Sequence, residues 1–150
     1  MSDDEIKWGP AIWDARLSIS LDRPRLPVME PVYITLLLHN GGTRAVHYNV
    51  QCEWEDFNLQ LQLDGEAVAV TRFGQLMAAA VLSEGSIARV VEPGQDAVWE
   101  LMVNRYFDMT TSGVYVLKVS RPIAQAPDDA SSFATSTIES NELEFELTEE

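Results

Sequence analysis

His39, His47 and Cys52 are the only soft metal ligands in the chain. A zinc site needs four ligands, at least three of them from the protein. A reversal at Asn40-Gly41-Gly42 would bring the two histidines onto neighbouring strands, but strand alternation puts Cys52 on the face opposite His47, so the trio does not converge. The expectation is two surface histidines and a core thiol, with no metal and no cofactor. Glu53, Glu55 and Asp56 surround Trp54 and could bind calcium or work as an acid and base pair, since both tasks need clustered carboxylates. Their spacing lacks the Asp-x-Asp-x-Asp-Gly order of a calcium loop, and in a chain with 24 acidic residues a solvated acidic loop is the competing explanation. There is no Gly-x-Ser-x-Gly elbow, and two histidines define no acyl-transfer triad. The residues point away from an enzyme, and no catalytic set is assigned.

The aromatic residues are a second source of chemistry, because indole and phenol rings serve as stacking platforms for sugars or as hot spots for protein partners. Trp99 shares strand parity with Leu101 and Val103 and is expected in the core. Tyr115 is expected there too, its hydroxyl tied to the backbone as in a tyrosine corner, although Thr111 stands where immunoglobulin domains usually carry Asp. The candidate interaction residues are therefore Trp8, Trp13 and Trp54. Trp8 and Trp13 flank Gly9-Pro10 in a leader, and packing against the edge of the domain is the alternative fate for both.

Positioning falls to strands. Leu17, Ile19 and Leu21 alternate with Arg16, Ser18 and Ser20, a period of two that buries one face. Two prolines in Arg23-Pro24-Arg25-Leu26-Pro27 call for a turn or an edge. Val32 to Leu38 reads as a central strand, and Asn40-Gly41-Gly42 as a hairpin into Val46, Tyr48, Val50 and Cys52. Phe57, Leu59, Leu61 and Leu63 make the cleanest alternation, and Asp64-Gly65 turns the chain toward a return strand at Val68 and Val70. Residues 74–85 suit a short helix or an irregular connection. Pro93-Gly94 precedes a strand with Ala97, Trp99, Leu101 and Val103 inward, and Val114 to Ser120 follows with Tyr115, Leu117 and Val119 on one face. Residues 122–136 suit a long exposed loop, and Leu143, Phe145 and Leu147 alternate with Glu142, Glu144 and Glu146 in a last strand.

Seven to nine short strands with no long amphipathic helix predict an all-β fold, an antiparallel two-sheet sandwich of the immunoglobulin-like kind. Residues 1–14 form a leader on or near the domain, 15–147 a single sandwich domain and 148–150 a tail. At 150 residues the chain is long enough to bury a core unaided, and one cysteine allows no internal disulfide. The acidic start lacks the basic region of a secretory signal, and no apolar run has the length of a membrane span, so a cytoplasmic location is expected. A formal charge of −14 repels nucleic acid and anionic lipid and favours a basic protein partner, with solubility as the simpler explanation.

The stretch Glu92-Pro93-Gly94-Gln95, Trp99-Glu100-Leu101, Asn104-Arg105-Tyr106-Phe107-Asp108 and Ser112-Gly113-Val114-Tyr115-Val116-Leu117 resembles the sandwich domains that precede the catalytic domain of deuterolysin-like metalloproteases. It is also similar to the small intracellular proteinase inhibitors of bacilli. The resemblance extends over roughly Leu17 to Val119 and implies architecture. The metalloproteases' His-Glu-x-x-His helix is absent from this sequence, and no reactive-loop motif carries over from the inhibitors. The functional expectation is a non-enzymatic module that binds a protein partner. An inhibitor-like or toxin-neutralising protein that captures a basic enzyme is the alternative, and a metal-dependent enzyme at His39 and His47 comes third.

Overall fold

The computed structural model describes residues 6–50, 56–79, 87–125 and 134–149. Eleven strands lie among them: β1 (Ala15–Ser20), β2 (Arg25–Pro27), β3 (Tyr33–Asn40), β4 (Val46–Val50), β5 (Asn58–Leu63), β6 (Glu66–Ala67), β7 (Ile87–Val91), β8 (Asp96–Met102), β9 (Gly113–Gln125), β10 (Ala134–Glu139) and β11 (Leu143–Thr148). Nine of them have five or more residues. A helix, α1 (Arg72–Ala79), follows β6, and a 3-10 turn at Val103–Arg105 follows β8. The strands form two sheets, one of order β1-β3-β8 and a larger one running β2-β11-β9-β4-β7 with β5, β6 and β10 attached. This is the expected all-β sandwich.

The alternations explain the layers. Leu17 and Ile19 of β1, Ile34 and Leu36 of β3 and Leu101 of β8 face inward from the small sheet, and Leu59, Leu61, Tyr115, Leu117, Val119, Phe145 and Leu147 face them from the large one. Each side chain so buried contributes about 1.5 to 3 kcal/mol, which is what commits the register. The Tyr115 hydroxyl donates to the Thr111 carbonyl at 2.6 Å, a tyrosine corner formed without the Asp. Burial pushes the Tyr115 pKa upward, and the negative charges of Asp108 and Asp64 push it further the same way.

Strand β9 is the spine of the large sheet. One edge pairs with β11 and then β10; the other pairs with β5 and, past a gap, with β4 at Ala124. Pro122 lies within it, and the span 122–136 expected to be a loop instead holds the end of β9 to Gln125 and the start of β10 at Ala134, with 126–133 outside the described residues. Val119 bonds Ser140 through both its N–H and its carbonyl, so by alternation the N–H that Pro122 lacks would face the opposite edge. That edge is the gap between Ser120, the last residue paired with β5, and Ala124, so no ladder bond is forfeited and the strand continues.

Three other expectations change. Asn40-Gly41-Gly42 does not close a hairpin: β3 belongs to the small sheet and β4 to the large one, and the Asn40 amide secures the crossing by donating to the carbonyls of Arg44 and Val91 at 2.8 and 2.9 Å. The return strand after Asp64-Gly65 is only Glu66–Ala67, although the turn itself has the expected positive φ at both residues, 50° and 88°. Strand β2 pairs with β11 in parallel, so the sandwich is not wholly antiparallel. Within the span 74–85, α1 covers the first part, and residues 80–86 lie outside the described residues.

Candidate binding face

The outer face of the small sheet is built in rows set by strand register. Arg16, His39 and Asp96 form one row, Ser18, Leu37 and Val98 the next, and Ser20, Thr35 and Glu100 the third, with Tyr33 opposite Met102 beyond them. An ordinary solvated sheet face would be polar in every row. Here Val98 is 62% exposed and Tyr33 50%, with Leu37 half-buried beside Val98. A groove of about 770 Å³ is lined by Leu37 and Val98 together with Leu21, Val116 and Leu143, and carries Glu142 and Glu144. Glu100, Glu142 and Glu144 form no ion pair with any described residue.

The two edges of this sheet differ. The Gly9 N–H donates to the Leu17 carbonyl at 3.0 Å. The Asn141 amide takes both free groups of Ile19, accepting from its N–H at 2.8 Å and donating to its carbonyl at 3.2 Å. The edge of β1 is closed. At β8, Val103 N–H donates to Val32 at 2.8 Å and the Gln95 carbonyl accepts from Asn40 at 3.0 Å, so the odd-numbered residues turn toward β3. Asp96, Val98, Glu100 and Met102 therefore direct their N–H and carbonyl groups away from the sheet, where no described strand pairs with them.

Trp8 lies half-buried over the first row, with the Arg16 guanidinium 4.9 Å from its ring centroid and the His39 ring 6.2 Å away. His39 Nδ1 contacts Asp96 Oδ1 at 2.6 Å. Trp13 is placed elsewhere. It and Asp14 have positive φ, 53° and 64°, in a two-residue reversal closed by reciprocal Ile12 and Ala15 bonds of 2.9 and 2.8 Å, and it packs against Leu38, Val46 and their neighbours. The structure thus does not join Trp8 and Trp13 into one platform, and Trp54 lies outside the described residues. So do Cys52, Glu53 and Glu55. The two histidines are on different sheets, His39 on β3 and His47 on β4. No three His, Cys, Asp or Glu side chains gather as a metal site among the described residues.

Sequence reasoning passed over Arg121. It is 1% exposed and held in a box of rings, its guanidinium 4.8 Å from Tyr48, 4.9 Å from Phe57 and 5.3 Å from Trp99. Nη2 donates to the Asn49 carbonyl at 2.6 Å and Nε to the Pro122 carbonyl at 3.3 Å, while Nη1 has no partner among the described residues. Burial lowers its pKa, opposed by the nearby Asp56 charge. Asp56, expected on a solvated loop, is itself buried, and lines a cavity of about 480 Å³ with Arg121 and His47. The signal was parity: Tyr115, Leu117, Val119, Arg121 and Ile123 all share the inward face of β9.

No protein-family model matches the chain, and no curated protein matches its sequence.

Proposed function

We propose that the chain is a non-enzymatic protein-interaction module that meets a basic partner on the outer face of the small sheet. The observation that carries this reading is the apolar content of that face, exposed Val98 beside half-buried Leu37 and exposed Tyr33 two rows further on, together with the carboxylates Glu100, Glu142 and Glu144, which have no ion-pair partner among the described residues. An apolar centre with a charged rim is the anatomy of a protein contact surface, and the formal charge of −14 steers a cationic partner toward it.

The test is affinity capture with the wild-type chain and a Val98→Asp variant, whose exposed position leaves the core untouched. A partner retained by the wild type at low salt should be lost with the variant. It should also be lost in about 1 M salt, where the screening length falls to roughly 3 Å. Identical capture by both proteins at both salt concentrations refutes the reading.

A further inference from the structure

That face ends at β8, seven residues long, whose outer edge has no strand partner among the described residues, and its chemistry is specific. Asp96, Val98, Glu100 and Met102 present backbone donors and acceptors outward, and the same residues carry their side chains on the outer face. An unpaired edge is a template for another strand, and natural sheets commonly block theirs. This sheet blocks β1 with Gly9 and Asn141, whereas no described residue bonds the outer edge of β8.

We infer that β8 receives an extended segment of a partner as an added antiparallel strand whose side chains run basic, apolar, β-branched, apolar, basic. This rests on the proposed interaction role and specifies its partner. Residues directly opposite one another in an antiparallel pair share a face. The residues opposite Asp96 and Glu100 therefore meet carboxylates, and the residue opposite Val98 meets an apolar side chain. The two residues between them turn inward beside Ala97 and Trp99, both half-buried, which sets an apolar requirement there. A second copy of the chain is disfavoured. Antiparallel self-pairing centred on Val98 would place Asp96 against Glu100 twice, and like charges directly opposite destabilise a pair. Among the described residues strand β7 also pairs on one side only, but it has five residues and carries Arg89 at its centre, so it does not share this charge pattern.

The probe is a capped peptide, Ser-Arg-Ile-Val-Ile-Arg-Ser, titrated into the full chain while amide hydrogen exchange is followed by NMR. Exchange should slow at Asp96, Val98, Glu100 and Met102. The same peptide N-methylated at both arginines and the valine keeps its side chains but loses the donors that face β8. It should bind at least about tenfold more weakly, the effect of a few ladder bonds of modest net strength. Glu100→Lys should weaken the unmodified peptide by a similar factor. Equal binding of the two peptides, slowed exchange at β7 instead, or no binding at all overturns strand addition. None of these bears on whether the apolar face contacts a partner, which the Val98→Asp capture decides separately.

Discussion

Trp99→Ala tests how the two halves of the core are joined. The indole packs against both the cluster around Ile34, Leu36 and Tyr115 and the cluster around Leu17, Leu38 and Val46. Its ring stands edge-on to Tyr48 and Phe57, at 5.3 and 5.2 Å. Aromatic-to-alanine changes in cores cost about 3 to 5 kcal/mol. Trp99 is only half-buried, which reduces the transfer part, while the two ring pairs contribute about 0.5 to 1.5 kcal/mol each beyond area. An expected loss of about 3 to 4 kcal/mol follows, a large part of a typical stability of about 5 to 15. Arg121 supplies the internal check. Its guanidinium lies 5.3 Å from the indole, so a double-mutant cycle with Arg121→Met should return a favourable coupling of about 1 kcal/mol. Urea midpoints of the four proteins measure both quantities. A Trp99→Ala cost below about 1 kcal/mol, against the scale for buried rings, would refute the bridging role, and a coupling of zero would refute the cation–π box.

Leu61→Ala should cost about 2 to 5 kcal/mol and the neighbouring Gln60→Ala less than about 0.5, read from denaturant midpoints, because Leu61 is buried and Gln60 exposed. Tyr115→Phe should cost about 1 to 2 kcal/mol by leaving the Thr111 carbonyl without its donor. The folded pKa of Tyr115 is raised, so its contribution is complete below the unfolded value of about 10 and is lost as pH climbs toward the folded one. Circular dichroism should accordingly show stability falling above about pH 10, and falling less in Tyr115→Phe. Gly9→Ala would set a methyl 2.0 Å from the Glu139 carbonyl oxygen, so the leader must lift. A stability loss of about 1 to 3 kcal/mol and a red shift of tryptophan emission should follow.

What could be read in advance was what period two encodes. Phe57, Leu59 and Leu61 are buried as their alternation requires, and so are Phe145 and Leu147 of the last strand. Turn chemistry was legible at Asp64-Gly65, where both residues adopt positive φ. It misled at Asn40-Gly41-Gly42, because residues that permit a reversal serve equally well for a crossing between sheets, and only tertiary pairing separates the two. Pro122 misled for a related reason: its missing donor matters only if a partner stands on that side, and partner order is not local information. The candidate face was partly visible, in that Val98 and Glu100 fall on the outward parity of their strand. The contrast between the sheet's two edges was not, since it depends on Gly9 and Asn141, far apart in sequence, meeting at β1, while no described strand meets the outer edge of β8. Arg121 was hidden by the habit of assigning charge to solvent, although its parity with Tyr115 and Val119 placed it inside.

Asn141 spans 122 positions to reach Ile19, and β2 lies parallel to β11 with Arg25 opposite Glu146. These long closures bear on how the domain is made. The first strand has its neighbour β3 and its Gly9 bond early, but Asn141 follows Ile19 by 122 residues and Glu146 of the strand that pairs with β2 follows Arg25 by 121. Non-local pairings of this kind slow folding, because loop-closure entropy must be met before any contact compensates it. During synthesis the edge of β1 at Ile19 and the pairing edge of β2 stay open until those residues emerge, and that interval is when a holding chaperone or an aggregating neighbour would meet them.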